Sequence, residues 1–314
     1  MKAVLPYDAS PGTKRLLESL DPAIAQVSVL AENDASGLAR ELADADVLLH
    51  VLAPVTAAIL DAAPKLRLVQ KIGIGVDTID RVHAAKRGIA VCNMPGTNTV
   101  AVAELTLALM LAALRRVTAL DEDLRAGAWT PDAAHLDAAG ELDGACVGLI
   151  GYGAVAKRLR PALEALGARV VVHARREPDD GAKTLPLDVL LSEADMVSLH
   201  VPATPETRGF LNAARIARMK KGAVLVNTAR GALIDEAALI AALSSGHLAA
   251  AGLDVFATEP IARDSALLKL PNVVATPHIA WMTPGTWRRS LAVVAENCRR
   301  LATGAPLLNR VAPP

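Results

Sequence analysis

The chain has 314 residues, of which 52% are hydrophobic and 2% aromatic, and its 33 basic residues are balanced by 33 acidic ones. Because a domain usually takes about 100–200 residues, this length predicts two domains, each with enough apolar residues for its own core. The neutral charge and the scarcity of aromatic rings argue against nucleic-acid binding, which depends on basic surfaces and on rings that stack against bases.

The cysteines and the N-terminal residues are typical of a reduced, cytoplasmic protein. Cys92, Cys146 and Cys298 are widely spaced, and the seven histidines do not cluster at zinc spacing, so we expect free thiols and no metal site. Residues 1–8 lack the apolar segment of a signal peptide. The apolar stretch at 100–114 contains Glu104 and is shorter than the roughly 20 residues of a membrane span, which predicts a helix buried in protein.

Short apolar runs alternate along the chain with helical patterns rich in Ala, Leu, Arg and Glu. Strands are predicted at 2–5, 27–30, 47–51, 69–72, 90–92, 146–150, 169–173, 196–199, 223–227, 250–255 and 273–275. Helices are predicted at 12–19, 35–43, 154–166, 186–192, 212–219, 235–244 and 286–302. Apolar strands separated by helices are typical of parallel sheets that are covered on both faces. The sequence therefore predicts an α/β fold with two parallel-sheet domains.

A glycine-rich turn directly follows the predicted strand at 146–150. Gly151, Gly153 and Ala156 fit the pattern G-x-G-x-x-A at the start of a predicted helix. In this pattern the first glycine permits a tight turn, the second lets the backbone approach a pyrophosphate, and the small third residue keeps helix and strand close. The helix N-terminus then favours the anionic phosphates. We predict dinucleotide binding here, with a purely structural turn as the alternative.

The end of the next predicted strand bears on which nicotinamide cofactor is bound. An Asp or Glu at this point would hold the ribose 2′-hydroxyl of NAD, but the chain has Ala174, Arg175 and Arg176, and the first carboxylate is that of Glu177. Guanidinium groups suit the 2′-phosphate of NADP, which a carboxylate would repel. The sequence favours NADP(H) over NAD(H), and a solvated arginine pair is the alternative.

Three further residues with useful chemistry each follow a predicted strand: Arg230, Glu259 and His278. Ligands bind at the carboxyl ends of parallel strands, so these side chains are expected at one sheet edge. Reduction of a 2-oxo acid by hydride needs a proton donor such as His, a carboxylate that orients it, and an Arg that binds the substrate. Each residue alone has a structural alternative, but together they indicate hydride transfer.

Seven sequence blocks in this order resemble the D-isomer-specific 2-hydroxyacid dehydrogenases. The blocks are residues 71–80, 93–104, the turn at 151–156, 200–202, 228–231, 254–260 and 277–278. The resemblance implies two Rossmann-like or flavodoxin-like domains. A dinucleotide-binding domain at 98–283 would be inserted into a substrate domain formed by 1–97 and 284–314, and the two crossings would act as hinges.

The resemblance also implies roles for individual residues. Arg230 would bind substrate, His278 would be the acid/base and Glu259 its partner. The backbone amides of Ile74 and Gly75 would bind the substrate carboxylate. Trp281 resembles the glyoxylate and hydroxypyruvate reductase branch and would cover a small substrate, with ordinary packing as its alternative. Cofactor contacts are expected from Thr99, Gly151, Gly153, Ala154, Val155, Ala174, Arg175, Arg176, Val201, Pro202, Thr207, Thr228, Ala229, Arg230, Asp254 and His278.

These features predict an NADPH-dependent reductase that converts glyoxylate or hydroxypyruvate to the D-2-hydroxy acid. Two alternatives remain open: an NAD-dependent D-2-hydroxyacid dehydrogenase with a larger substrate, and a nicotinamide-sensing binding protein like the corepressors that share this fold. No G-x-S-x-G elbow or phosphate-binding loop of the G-x-x-x-x-G-K-[ST] type supports a hydrolase or a nucleotidase. The segment at 100–114 resembles the family's dimer-forming helix, so we expect a homodimer without nucleic-acid or membrane partners.

Overall fold

A computed structural model of the protein describes residues 1–130 and 133–313. The chain forms two compact units: the first unit comprises Met1–Asn98 and Trp281–Pro314, and the second unit comprises Thr99–Ala280. Pro131, Asp132 and Pro314 fall within the predicted domain ranges but outside the described residues. The assignment of the units to substrate and cofactor stays a prediction.

The first unit is built on a parallel sheet of five strands in the order β2-β1-β3-β4-β5. The strands are β1 (Lys2–Pro6), β2 (Gln26–Leu30), β3 (Val47–His50), β4 (Leu68–Lys71) and β5 (Ala90–Cys92). Between them lie α1 (Pro11–Glu18), α2 (Ala35–Leu42), α3 (Ala57–Asp61) and α4 (Arg81–Lys86). A side-chain oxygen caps the start of each of these helices by accepting a backbone N–H, from Ser10, Asp34, Thr56 and Asp80.

A buried histidine ends strand β3. His50 is 2% exposed, and its Nε2 lies 2.8 Å from the carbonyl oxygen of Ala53. Burial lowers its pKa from 6.5 to about 3, and the nearby charge of Lys71 contributes in the same direction. The imidazole is therefore neutral at pH 7.

The second unit contains a parallel sheet of six strands in the order β11-β10-β9-β8-β6-β7. Its strands are β6 (Cys146–Ile150), β7 (Arg169–His173), β8 (Met196–Leu199), β9 (Ala223–Asn227), β10 (Leu248–Leu253) and β11 (Val273–Ala275). The strand order reverses at β6, because β7 lies on one side of it and β8 on the other. Ligands of open α/β sheets bind at the carboxyl ends of the strands at such a point. The turn that begins at Gly151 follows β6 directly.

The helices of the second unit precede and connect these strands. They are α5 (Thr99–Leu114), α6 (Val117–Arg125), α7 (Ala133–Asp137), α8 (Ala154–Ala165), α9 (Leu187–Glu193), α10 (Ala213–Arg218) and α11 (Glu236–Ser244). The apolar helix α5 packs against α8, β9 and β10 and contributes Ala103, Leu109 and Met110 to the core. Among the residues that the structure describes, no helix combines the length and apolar character needed to cross a membrane.

The last helix, α12 (Pro284–Thr303), belongs to the first unit. Its buried Asn297 donates to Oε1 of Gln70 at 2.7 Å and accepts the backbone N–H of Leu308 at 2.8 Å. The tail that follows pairs with β5, since the N–H of Val311 donates to the carbonyl oxygen of Val91. These bonds attach the C-terminal segment to the N-terminal sheet.

The prediction of two α/β domains with parallel sheets is confirmed. All eleven predicted strands are present, and most differ from the predicted bounds by no more than one residue. The strand predicted at 250–255 is an exception: it covers Leu248–Leu253. It ends there because both neighbouring strands end opposite Leu253, β9 at Asn227 and β11 at Ala275.

Candidate active site

The turn after β6 has the backbone geometry that the sequence predicts. Gly151 has a φ of +92°, and a Cβ at this position would lie 2.5 Å from the carbonyl oxygen of His200. A Cβ on Gly153, in contrast, would meet no atom within 4 Å. Gly151 is therefore required by the protein's own packing, whereas the space beside Gly153 is open.

Two observations test whether the second unit fits a dinucleotide. No side chain caps the N-terminus of α8, so the backbone around Ala154 and Val155 presents the positive end of the helix beside the open space at Gly153. The hydroxyl oxygen of Thr99 is buried and has no hydrogen-bond partner among the described residues. An unsatisfied buried hydroxyl and an open anion-binding turn are both consistent with a bound cofactor.

The predicted 2′-phosphate contacts lie beyond the end of β7. Ala174 is half-buried, while Arg175 and Arg176 are exposed. The pKa of the nearby Glu206 carboxyl is lowered mainly by its hydrogen bond with Thr204, and the charge of Arg175 contributes to a smaller extent. Arg175 therefore lies near the loop that follows β8.

That loop carries three of the predicted cofactor contacts, Val201, Pro202 and Thr207. The hydroxyl of Thr207 donates to the carbonyl oxygen of Pro202 at 2.6 Å and accepts the N–H of Thr204 at 2.7 Å. These bonds shape the turn from within. The cofactor contacts of the three residues stay predictions.

The turn after β9 carries Thr228, Ala229 and Arg230. The buried side chain of Asn227 accepts the N–H of Ala229 at 3.0 Å and donates to the carbonyl oxygen of Arg230 at 2.8 Å, which fixes the turn. The hydroxyl of Thr228 lies 2.8 Å from that of Thr106 on α5. Asn227 was not predicted from the sequence, although a polar residue at the end of an otherwise apolar strand is a signal for such a role.

The structure brings His278 and Glu259 together. The His278 Nδ1 lies 2.6 Å from Glu259 Oε2, and Glu259 Oε1 accepts the N–H of Phe256 at 3.0 Å. Burial acts to raise the pKa of Glu259, but the hydrogen bonds from His278 and Phe256 and the Arg230 charge outweigh it, so the pKa is lowered and the carboxyl is ionised near neutral pH. With Nδ1 bonded to the carboxylate, Nε2 is the nitrogen left to exchange a proton with a ligand.

Asp254 organises the loop that carries His278. Its fully buried carboxylate accepts hydrogen bonds from the Thr276 hydroxyl at 2.6 Å and from the N–H groups of Ile279 and Ala280, both at 2.9 Å. His278 lies between these anchors with a φ of +53°, a conformation unfavourable for residues other than glycine. Burial raises the pKa of Asp254, and its hydrogen bonds oppose this shift. The sequence placed Asp254 only among the cofactor contacts and missed this structural role.

Gly231 allows the Arg230 turn to approach the Glu259 loop. A Cβ on Gly231 would overlap the carbonyl carbon and oxygen of Phe256 and lie 2.5 Å from the N–H nitrogen of Ala257. Only a residue without a side chain fits at this backbone–backbone contact. Arg230, Glu259 and His278 thus occupy neighbouring loops at the carboxyl edge of one sheet.

The other predicted substrate contacts belong to the first unit. Ile74 is exposed on the loop after β4, where its carbonyl oxygen accepts from Asn93 Nδ2 at 2.9 Å. Gly75 follows it and is half-buried. Trp281 is only 7% exposed, and its ring packs against Trp287 with 5.5 Å between centroids. This is the packing that the sequence left open as the alternative, and the substrate contact of Trp281 stays a prediction.

Metal chemistry has no site in the described part of the chain. Within residues 1–130 and 133–313, no three His, Cys, Asp or Glu side chains are grouped so that they could hold a metal ion. The three cysteines are buried and free.

Curated relatives of known name match most of the chain. A D-3-phosphoglycerate dehydrogenase from Mycobacterium tuberculosis is 41% identical over 277 residues, which is 86% of this chain and 52% of the relative. The chain thus spans about half the length of the phosphoglycerate dehydrogenases that it matches. A glyoxylate reductase from Korarchaeum cryptofilum is 41% identical over 261 residues, which is 81% of this chain and 79% of the relative.

A solved structure and a family model agree with these relatives. The structure of an NADPH-dependent glyoxylate/hydroxypyruvate reductase from Sinorhizobium meliloti superposes with a TM-score of 0.86 at 31% identity, covering 99% of this chain and 97% of that one. Residues 107–280 match the model of the NAD binding domain of D-isomer specific 2-hydroxyacid dehydrogenases. The chain belongs to the D-isomer specific 2-hydroxyacid dehydrogenase family.

Proposed function

We propose that this protein reduces a small 2-oxo acid, glyoxylate or hydroxypyruvate, to the D-2-hydroxy acid with NADPH. The observation that carries the proposal is the 2.6 Å hydrogen bond between His278 and Glu259 beside Arg230, at the sheet edge that also holds the glycine turn. A hydrogen-bonded imidazole and carboxylate form an oriented proton donor, and a neighbouring guanidinium suits a carboxylate substrate.

The residues divide the reaction between them. NADPH, when bound, would supply the hydride for the carbonyl carbon of the substrate. Nε2 of His278 donates a proton to the carbonyl oxygen, which becomes the hydroxyl. The ionised Glu259 stabilises the charged imidazolium before the transfer and keeps the ring oriented during it. Arg230 binds the substrate carboxylate or polarises its carbonyl, and the backbone amides of Ile74 and Gly75 are proposed as further carboxylate donors.

Asp254 contributes to this chemistry through the backbone. Its three hydrogen bonds hold residues 276–280 so that His278 keeps its left-handed conformation and its bond to Glu259. Positioning of this kind reduces the reorganisation needed when the proton moves.

The proposed preference for NADPH depends on the loop after β7. Ala174 removes the carboxylate that would repel a 2′-phosphate, and the exposed guanidinium groups of Arg175 and Arg176 can bind one. Among the relatives, the family description names NAD, and the Sinorhizobium meliloti enzyme is named for NADPH.

A second candidate function is the oxidation or reduction of a phosphorylated three-carbon acid. The 41% identity to a D-3-phosphoglycerate dehydrogenase over 277 residues favours it. We prefer the smaller, unphosphorylated substrates because the glyoxylate reductase matches this chain at the same identity over 79% of its own length.

Steady-state rates test these proposals directly. NADPH and NADH are each assayed with glyoxylate, hydroxypyruvate, pyruvate, phenylpyruvate and phosphohydroxypyruvate. We expect the highest kcat/KM with NADPH and glyoxylate or hydroxypyruvate. A higher value with phosphohydroxypyruvate would favour the second candidate, and turnover with no pair would favour a nicotinamide-sensing binding protein.

We also propose that the protein is a homodimer. Most of helix α5 is packed inside the second unit, but large apolar side chains nearby are exposed: Leu111, Val117, Leu124 and Trp129. Exposed apolar residues so close together favour contact with a second copy. Analytical ultracentrifugation tests the proposal, and a monomer at micromolar concentration would contradict it.

A further inference from the structure

The loop that carries Arg175 and Arg176 is closed at its base. The chain leaves β7 after His173 and pairs with the same strand again at Thr184, which lies opposite Val172. The N–H of Val172 donates to the carbonyl oxygen of Lys183 at 2.9 Å. We call residues 174–183 the arginine loop. Its two ends are fixed to the sheet by these bonds.

The middle of the arginine loop is attached to the glycine turn by a three-residue network. The hydroxyl of Tyr152 donates to Asp180 Oδ2 at 2.6 Å. Arg160 Nη1 lies 3.2 Å from the Tyr152 oxygen and 3.2 Å from Asp180 Oδ1. We call these residues the Tyr152–Arg160–Asp180 clamp. The Arg160 side chain is 20% exposed and that of Asp180 is 40% exposed, so solvent screens these contacts less than those of a fully exposed pair.

The protonation states of the clamp keep it formed near neutral pH. Burial raises the pKa of Tyr152, so its hydroxyl remains a donor. The hydrogen bond from Tyr152 lowers the pKa of Asp180, so that carboxyl remains an acceptor. The neighbouring ion pair between Lys157 and Asp179 differs, because the Asp179 side chain is 80% exposed and such pairs contribute little.

The clamp connects two predicted parts of one cofactor site. Tyr152 stands between Gly151 and Gly153, in the turn proposed for the pyrophosphate, and Asp180 lies on the loop proposed for the 2′-phosphate. The turn itself needs small residues only at its glycine positions. Because the tyrosine between them is bonded to the arginine loop, it holds that loop beside the turn.

We propose that the Tyr152–Arg160–Asp180 clamp is a positioning element for cofactor choice, which holds Arg175 and Arg176 at a fixed distance from the pyrophosphate-binding turn. The inference rests on the proposed preference for NADPH. A loop fixed before binding loses less conformational entropy when its arginines meet the 2′-phosphate. The clamp residues act through the loop and touch neither the nicotinamide nor the substrate.

Two adenosine ligands that differ only at the 2′ position isolate this effect. Dissociation constants of adenosine 2′,5′-bisphosphate and of 5′-AMP are measured by calorimetry for Tyr152→Phe and Asp180→Ala. Because the variants must order the arginine loop on binding, we expect the Kd of the bisphosphate to rise about 2–10-fold and that of 5′-AMP to stay within about twofold. Melting curves confirm that Tyr152→Phe, which lacks a single oxygen atom, is folded.

Asp179→Ala is the matched control. It removes the same charge from the neighbouring position but leaves the clamp intact, and loss of a negative charge by itself strengthens phosphate binding. We therefore expect the bisphosphate to bind Asp179→Ala as tightly as wild type or more tightly. An equal loss of affinity in Asp179→Ala and Asp180→Ala would overturn the inference.

A variant in which both Arg175 and Arg176 are replaced by Ala distinguishes failure of the clamp proposal from failure of the proposed preference for NADPH. If this variant binds the bisphosphate weakly while Tyr152→Phe binds like wild type, the inference is refuted and the cofactor proposal stands. If Tyr152→Phe weakens the arginine-free variant as much as it weakens wild type, the clamp does not act through the arginines. If wild type binds both ligands equally, the cofactor proposal is wrong and the inference falls with it.

Discussion

Substitution of Gly231 by Ala tests the contact between the Arg230 turn and the Glu259 loop. An added Cβ would lie 2.5 Å from the N–H nitrogen of Ala257 and would overlap Phe256. Non-bonded atoms pack about 3.5–4.0 Å apart, so the two backbones must separate by about 1 Å or more. Phe256 donates to the Glu259 carboxylate, which in turn bonds His278. The shift is therefore expected to move His278, the proposed proton donor, away from Arg230.

The size of the effect follows from this displacement. Misplacement of catalytic groups by about 1 Å can reduce the rate about 10²-fold, and overpacking of this kind costs about 1–3 kcal/mol of stability. We expect Gly231→Ala to lower kcat/KM by about 10²-fold and to shift the urea midpoint downwards. The Kd of 5′-AMP, which lacks the nicotinamide half of the cofactor, is expected to stay within about threefold, a change of about 0.6 kcal/mol. The reason is that the glycine turn after β6 is not part of this contact.

Gly153→Ala provides the opposite pattern in the same chain. Its Cβ would meet no protein atom within 4 Å, and its φ of −89° suits any residue, so stability should not fall. The new methyl group would instead occupy the space proposed for the pyrophosphate and raise the Kd of NADPH. If Gly231→Ala keeps the stability and the kcat/KM of the wild type, the reasoning from the backbone contact at Phe256 is refuted.

Further outcomes are expected from single sites. His278→Ala should lower kcat about 10²–10⁴-fold; near-wild-type kcat would remove it as proton donor. Glu259→Gln keeps a hydrogen-bond acceptor but loses the charge, worth about 1.5–3 kcal/mol, so kcat should fall about 10–100-fold, and an unchanged rate would contradict the pairing. Replacing Arg175 and Arg176 by Ala should raise the KM for NADPH and leave that for NADH nearly unchanged; equal effects would mean that the arginines serve packing. The pKa of His50 is about 3 in the folded protein and 6.5 in the unfolded chain. As the pH falls from 6.5 to 3, the imidazole therefore becomes protonated only in the unfolded chain. Wild type should therefore lose about 2 kcal/mol relative to His50→Gln between pH 7 and pH 5 in urea unfolding, and parallel curves would refute this.

Local sequence determined the strands and the glycine turn. Short continuous apolar runs between helical patterns are typical of a parallel sheet covered on both faces, and β5 to β9 and β11 have the predicted bounds. The turn at Gly151 was equally evident, because a glycine directly after a strand can adopt the positive φ that this turn requires. Helices α3, α4, α6 and α7 were missed. The five or six residues of α3, α4 and α7 are too few to show a helical period.

The cofactor and substrate roles of individual residues remain predictions drawn from residue type, position after a strand and family resemblance. Arg230, Glu259 and His278 could be selected in this way because each follows a strand of one parallel sheet, and such strands end at a common edge. The sequence did not reveal how those side chains are held. Trp281 illustrates the same limit, since its packing against Trp287 depends on residues that surround it only after folding.

The sequence by itself determined the fold class, the glycine turn and the family, because these depend on residue type and on spacing along the chain. Tertiary structure decided what supports the site. Asp254 holds residues 276–280, Gly231 admits the backbone at Phe256, and Tyr152 reaches Asp180, all across gaps of more than twenty residues. Such contacts arise only when the sheet brings the loops together, so local sequence patterns do not predict them.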